Sequence, residues 1–282
     1  MSDAYRSETW QRFWFRPESE AADWSKAEST IESVCEIFAE HGITAGKVLD
    51  LCCGTGRLST RLAKKGFTAV GLDISSLYLE EAKRRAREHD VESRVKFLLG
   101  DMRNVDEVVG HESPFDCVLS FRNSFGFWGD ETDEIIFTKV RRLTREGGIL
   151  VIGECDHLAQ LMLSFDRTRV YEYEDAMMIS EADMDYITNM FTATFKYYTK
   201  EGGVLKYRDS FDYQARVYSV SELSSLLGRA GWKVIEVYES LKDLQPFTHE
   251  AIFKGTTSMS VVAKATDNLG RVESSHHRNE VR

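Results

Sequence analysis

The chain has 282 residues, 42% of them hydrophobic and 29% charged, and a formal net charge of −10. That length and apolar content support a buried core without disulfide staples, and the acidic balance argues against a nucleic-acid binder. No run approaches the ~18 apolar residues of a membrane span, and five cysteines behind the polar start "MSDAYRSETW" point to reduced thiols in a cytoplasmic setting.

Within "YRSETWQRFWF", Trp10, Phe13 and Trp14 fall at helical spacing and predict an amphipathic helix with an aromatic docking face. Residues 25–42 read as a second helix, with Ile31, Val34, Cys35 and Phe38 on one side and Gly42 as a stop. Strands and helices then alternate. "KVLDLC", "TAVGLDI", "VKFLLGD", "FDCVLSF" and "ILVIGEC" read as strands. "RLSTRLAKKG", "SLYLEEAKRRAREHD" and "DEIIFTKVRRLTREGG", the last closed by a glycine pair, read as helices. Continuous apolar runs between helices indicate a parallel sheet covered on both faces. The bases of "EEAKRRAREHD" alternate with acids as on a solvated helix, not a basic patch.

The pattern breaks after Cys155. Ile187, Phe191, Ala193, Phe195 and Tyr197 alternate, "EGG" turns the chain, and Leu205, Tyr207, Phe211, Tyr213 and Val217 alternate on the way back, the mark of a long antiparallel hairpin. "SVSELSSLLGRAG" returns to helix, capped by Ser219 or Ser221. "WKVIEVYE" and "TSMSVVAKA" are final strands, and "DNLGRVESSHHRNEVR" reads as a polar tail whose His276 and His277 lack the partners of a metal site. The expected divisions are an N-terminal helical segment (1–45), an α/β core (46–155), an antiparallel insertion (156–217), the rest of the core (218–266) and a tail (267–282).

The loop from Asp50 to Gly56, "DLCCGTG", carries the first chemical signal. A glycine loop between strand and helix lets a ligand meet the backbone and the first helical amides. A phosphate-binding P-loop would need Lys and Ser/Thr where Arg57 and Leu58 stand, and the dinucleotide fingerprint would need glycine at Ser59. Adjacent Cys52 and Cys53, with no His nearby, make neither a metal clip nor an ordinary disulfide, so no metal is expected.

The whole arrangement, from about Gly42 to Ala265, resembles the class I, Rossmann-like S-adenosylmethionine (SAM)-dependent methyltransferases. That family's first motif reads acid-x-Gly-x-Gly-x-Gly. Asp50, Gly54 and Gly56 match it, and Cys52 stands in place of the first glycine. The resemblance implies that Asp73, ending the second strand in "AVGLDIS", accepts hydrogen bonds from the ribose hydroxyls. In "LLGDMRN" it implies that Asp101 takes the adenine amino group and that Met102 meets the ring. It extends the cofactor set to Arg57, Ile74, Gly100 and Ser120. The loop "FDCVLSFRNSFGFW" is where the family brings methyl donor and acceptor together, and "LTREGGILVI" looks like the turn into the fifth strand. The implied fold is a seven-stranded, mostly parallel Rossmann-like sheet with helices on both faces, an inserted antiparallel hairpin as substrate roof, and an N-terminal helical segment that lies over the cofactor as a lid.

For the acceptor, "SFRNSF" lacks the Asn/Asp-Pro-Pro-aromatic loop of nucleic-acid amino methyltransferases, and no Pro-Cys occurs for cytosine C5 chemistry. The expectation is methyl transfer to an N or O nucleophile of a small molecule. RNA or protein methylation is the alternative within the family. A non-catalytic SAM-binding module and a nucleotide-dependent oxidoreductase are the alternatives outside it. Phe191, Phe195, Tyr207, Phe211 and Tyr213 are expected to line the acceptor pocket. His157, Glu154, Tyr171 and Tyr213 are the candidate bases, and Arg122 and Asn123 are expected to point into the crevice. Cys117 and Cys155 read as core. The acceptor's identity and the oligomeric state stay open.

Overall fold

The computed structural model describes residues 6–163, 165–248, 250 and 258–267. In chain order, two helices come first, α1 (Glu8–Trp14) and α2 (Pro17–Glu40). The alternating core follows: β1 (Lys47–Leu51), α3 (Arg57–Lys64), β2 (Thr68–Asp73), α4 (Ser76–Glu88), β3 (Val95–Leu99), α5 (Val105–Val109), β4 (Phe115–Phe121), α6 (Asp130–Leu143) and β5 (Thr144–Asp156). After α7 (Leu158–Leu163) the insertion contributes β6 (Thr168–Glu172), β7 (Ala176–Asp185), β8 (Met190–Glu201) and β9 (Val204–Arg216). The chain then returns to the core with α8 (Val220–Arg229), β10 (Trp232–Ser240), β11 (Gln245–Pro246) and β12 (Ser258–Ala265).

The main sheet runs β11-β10-β12-β5-β4-β1-β2-β3. The strands from β5 to β3 are parallel, and β12 lies antiparallel to both β5 and β10. Setting aside the two-residue β11, this is the expected seven-stranded, mostly parallel sheet. Each strand supplies apolar side chains to both faces. Val48, Cys117, Leu119, Ile149 and Val151 join a cluster with Ile31, Ile37 and Phe38 of α2, while Leu49, Leu51, Val118, Leu150 and Ile152 join Ile136, Phe137 and Leu223 of α6 and α8. A strand buried on two sides reads as a continuous apolar run for this reason. The order reverses between β1 and β4, and the loops at their carboxyl ends open a crevice there.

Three details differ from the expectation. α2 begins at Pro17, with proline in the first turn, where the missing N–H costs nothing. The glycine pair does not close α6: the helix stops at Leu143 and β5 is already paired at Thr144. The register against β4 then shifts between Phe115 and Cys117, and at Gly148 a Cβ would lie 2.8 Å from the Asp116 carbonyl oxygen, so glycine permits the close approach. The insertion is a four-stranded antiparallel sheet, β6-β7-β8-β9, of which the expected hairpin is one half. Its inner face carries Met178, Ala193, Phe195 and Phe211 against Phe13 of α1; its outer face carries pairs such as Lys196–Glu181 and Thr194–Asp212. Ser219, not Ser221, caps α8, in a reciprocal box with Glu222. No described helix is long and apolar enough to cross a membrane. His276 and His277 lie outside the described residues.

Candidate active site

The strand-to-helix loop is built from below. Asp50 is 2% exposed and its Oδ2 accepts a 2.6 Å hydrogen bond from the Ser59 hydroxyl in the first turn of α3. Burial pushes its carboxyl up to about 6, against the Ser59 hydrogen bond and the charge of Arg57. Gly56 adopts φ 71° as the residue before α3, and a Cβ there would sit 2.7 Å from the Phe97 ring and 2.8 Å from Ala82 Cβ. Cys52 has φ 60°, and Gly54, φ 54°, faces open space.

Above the loop lies a cavity of about 210 Å³. Cys52 and Gly54 come from the β1 loop, Asp73, Ile74 and Ser75 from the end of β2, and Gly100, Asp101 and Met102 from the end of β3. Asp73 accepts the Gly54 amide on Oδ2 at 2.8 Å and the Ser75 amide on Oδ1 at 2.9 Å. Burial raises its pKa and these amides oppose the rise. For Asp101, burial acts upward too, but hydrogen bonds from Arg103 and the charge of Arg6 win and hold it below the usual carboxylate range. The remaining walls are Tyr78 on α4, Phe127 and Trp128 of the loop after β4, and Trp10 of α1. Among the described residues no lysine or arginine lines this wall, although Arg6 and Arg103 pair with Asp101.

The first helix closes the top of the cavity. The Ser75 hydroxyl donates to Gln11 Oε1 at 2.6 Å, and the Tyr78 hydroxyl donates to the Gln11 carbonyl at 3.1 Å. On its other side Trp10 meets the roof, with ring centroids 4.9 Å from Phe195, 5.2 Å from Phe211 and 5.8 Å from Tyr213. Trp10 thus both docks the helix on the roof and walls the cavity.

A second cavity, of about 170 Å³, lies beneath the inserted sheet. Asn123 lines both cavities and so marks where they adjoin. Its side-chain amide donates to Asp156 Oδ2 at 2.7 Å and its oxygen accepts the Asp156 amide at 2.9 Å. Asp156, Arg169, Tyr171, Phe191 and Tyr213 supply the second cavity's polar and aromatic faces. The loop carrying Asn123 is clamped from behind. Asp133 is fully buried and accepts from the Gly126 amide at 3.1 Å and the Tyr218 hydroxyl at 2.8 Å, and Gly126 accepts the Arg216 amide at 2.8 Å.

The expected site residues therefore divide. Cys52, Gly54, Asp73, Ile74, Gly100, Asp101 and Met102 come together on the first cavity; Asp50, Gly56 and Arg57 shape the loop beneath it and do not line it. Ser120 is 1% exposed within β4 and lines neither cavity. Of the candidate bases, only Tyr171 and Tyr213 line the second cavity. Burial, with the charge of Asp156, raises the Tyr213 phenol far above its ordinary value. His157 is buried against Phe247, its Nδ1 accepting the Gln160 amide at 3.4 Å, and Glu154 turns to Thr30 and Arg122. Arg122 thus faces Glu154 while Asn123 alone of the pair reaches the crevice. Phe191, Phe195 and Tyr213 line the pocket, whereas Tyr207 is exposed and Phe211 packs on Trp10. Sequence reasoning missed Asp156. The rule that singles out Asp50, Asp73 and Asp101, an acid at the carboxyl end of a core strand, also singles out Asp156 at the end of β5.

Comparison with known proteins adds three findings. The methyltransferase-domain family matches residues 44–214. The Bacillus subtilis (strain 168) protein YqeM, a methyltransferase by name, is 28% identical over 225 residues, covering 77% of this chain and 87% of its own. Two solved structures share the fold. A SAM-dependent methyltransferase from Clostridium acetobutylicum ATCC 824 has a TM-score of 0.68 at 16% identity, covering 84% of this chain and 91% of that one. CalS10, an amino pentose methyltransferase from Micromonospora echinaspora, has a TM-score of 0.63 at 18% identity, covering 89% and 98%.

Proposed function

The chain belongs to the methyltransferase-domain family as a class I SAM-dependent methyltransferase, and from that premise we propose that it methylates an amine or hydroxyl of a small molecule held beneath the inserted sheet. The observation that carries this reading is the pair of cavities adjoining at Asn123. An acceptor volume of about 170 Å³ under an aromatic roof suits a compact molecule. CalS10 acts on an acceptor of that general kind, an amino pentose.

The first cavity's donor set suits SAM. Asp73 and Asp101 offer carboxylates to sugar hydroxyls and an exocyclic amine, and aromatic faces suit a flat base and a cationic sulfonium. A pyrophosphate would meet the carboxylate of Asp73, which has no ion pair among the described residues, and the arginines beside Asp101 are already engaged by it, which speaks against the oxidoreductase alternative. On this reading Asp73 holds the ribose, Gly100, Asp101 and Met102 surround the adenine, and Cys52 and Gly54 bring the loop backbone to the amino-acid end. When bound, SAM supplies an activated methyl group. The chain supplies proximity and orientation: Asn123 sits where donor and acceptor meet, and Trp10, Phe127 and Trp128 keep water away.

The test is calorimetry followed by turnover. S-adenosylhomocysteine (SAH) is expected to bind near the micromolar range and NAD(H) not to bind. The reverse result overturns the reading. With SAH binding secured, methyl transfer to small amines or alcohols, and not to RNA or protein, is expected. Binding with no turnover on any of these favours a SAM-binding module instead.

A further inference from the structure

We propose that Asp156 recognises a protonated amine on the acceptor and takes its proton, making this chain an N-methyltransferase. The inference rests on the proposed methyl transfer and narrows it to a substrate class. It begins with charge. The second cavity is walled by two arginines and two acids. Arg216 is already engaged by Asp130 at 2.9 Å and by Glu222 at 2.5 Å, and Arg169 lies 3.5 Å from Asp166. Asp156 has no cation within ion-pair distance among the described residues; its side-chain hydrogen bond comes from the neutral amide of Asn123. The cavity therefore presents one carboxylate with no ion pair of its own among the described residues, its counter-charge the more distant Arg169, surrounded by the rings of Tyr171, Phe191 and Tyr213. A ligand with an ammonium group on an apolar or sugar-like body supplies what is missing, and aromatic walls also favour a cation.

Position completes the argument. Asn123 holds Asp156 through two hydrogen bonds and is the residue common to both cavities. An amine paired to Asp156 is thereby set beside the donor's side of the crevice. An ammonium must lose one proton to expose the lone pair. That proton passes to the Asp156 carboxylate. The freed lone pair then forms the new N–C bond as the donor's S–C bond breaks, its electrons going to sulfur. Burial raises the carboxyl of Asp156 above its ordinary value, against the Asn123 hydrogen bond and the charge of Arg169, and so suits it to hold a proton. The groups that face it are Arg169 and Tyr171 on β6, Asp166 before that strand, Tyr213 and Arg216 on β9, and Asn123.

The experiment uses the full chain loaded with SAM or SAH and matched pairs of probes: an arylethylamine with its arylethanol, and an amino sugar with its parent hydroxy sugar. The amine of each pair is expected to bind the SAH-loaded protein and to be methylated in preference to the alcohol. In Asp156→Asn, which keeps the shape and a partner for Asn123, kcat/KM for the amine is expected to fall about 10- to 100-fold. SAH affinity should stay within about twofold, and the acidic limb of the kcat/KM pH profile assigned to this carboxylate should be lost. Asp156→Glu should restore part of the rate. The proposal is overturned if no pair shows an amine preference in binding or turnover, if alcohols are preferred, or if Asp156→Asn leaves kcat/KM and its pH profile unchanged. Failure of SAH to bind would instead overturn the methyltransferase reading beneath it.

Discussion

The two cavities are made in different ways. In the first, two carboxylates stand at strand ends and each takes an amide hydrogen bond from two residues on: Asp73 from Ser75 and Asp101 from Arg103. In the second, the central carboxylate, Asp156, is held by Asn123 from 33 residues away, and the walls come from β6, β8 and β9 of a separate sheet. A site of local turns forms wherever the strand-loop-helix unit forms. A site spanning two sheets exists only once the roof has docked, so it can change its occupant without disturbing the first.

The residue that most threatens this separation is Trp10, which lines the first cavity and packs on Phe195 and Tyr213 of the second. Trp10→Ala removes contacts to Phe195, Phe211 and Tyr213 and part of the cofactor wall. Loss of a large aromatic costs about 2–4 kcal/mol when its neighbours cannot close the gap. Calorimetric Kd for SAH and KM for the acceptor should both rise at least about tenfold. If only one rises, Trp10 does not couple the two cavities. Asp73→Ala sharpens the contrast, because it strands the Gly54 and Ser75 amides and removes the carboxylate assigned to the ribose. SAH affinity should weaken by about 1–3 kcal/mol, with acceptor binding to the SAH-saturated protein unchanged. An unaltered SAH affinity would sink the ribose assignment.

Asp133 tests what the two sites share structurally, the loop after β4. Burial pushes its carboxyl to about 6, above the ordinary value near 3.9. The folded chain therefore binds a proton between about pH 4 and pH 6 that the unfolded chain releases. This group's contribution favours folding below that window and weakens as pH rises through it, on the order of 1–3 kcal/mol. Asp133→Asn keeps the shape facing Gly126 and Tyr218 but cannot titrate. Its denaturation midpoint should vary less between pH 4 and pH 6 than that of the parent. Parallel pH profiles would show that Asp133 does not titrate in this window. Glu222 acts in the opposite sense. Burial raises it, but the Ser219 and Arg216 partners prevail and hold it at about 2, so its contribution is lost only as pH falls below the ordinary glutamate range.

The same contrast explains what the sequence made legible. The strand order of the core and the residues at the ends of β1, β2 and β3 follow from apolar runs and acids at strand ends, signals contained in windows of a few residues. The roof was half visible. β8 and β9 alternate cleanly, but in β6 and β7 the inner face carries Arg169, Tyr171 and Ser180 toward a partly polar cavity while Val170, Met177 and Ile179 lie on the other face, so the contrast between faces is weak. Among Glu154, Asp156 and His157, sequence reasoning named the first and last and passed over Asp156, which lines the second cavity, for a local reason. Glu154 has φ 54°, beside a register shift between β5 and β12, and the bulge breaks the period of two that would set Glu154 and Asp156 on one face. Glu154 turns toward α2 and Asp156 toward the roof. A one-residue bulge leaves no mark in composition.

The smallest expected effect belongs to Cys52, the one departure from the glycine pattern. It occupies φ 60°, a region costing an L-residue about 1–2 kcal/mol. Cys52→Gly removes that strain. It also removes the sulfur contact with Met102, 3.4 Å away, and adds conformational freedom to the unfolded chain worth about 0.5–1 kcal/mol. The terms oppose one another, so the denaturation midpoint should shift by less than about 1 kcal/mol of stability in either direction. Binding is the sharper readout. Cys52 lines the first cavity and not the second, so a change in SAH affinity with acceptor KM held constant would assign the side chain to the cofactor wall. Equal shifts in both would mean that the loop after β1 supports the acceptor site through the Ser124 carbonyl, which lies 3.9 Å from the Cys52 sulfur.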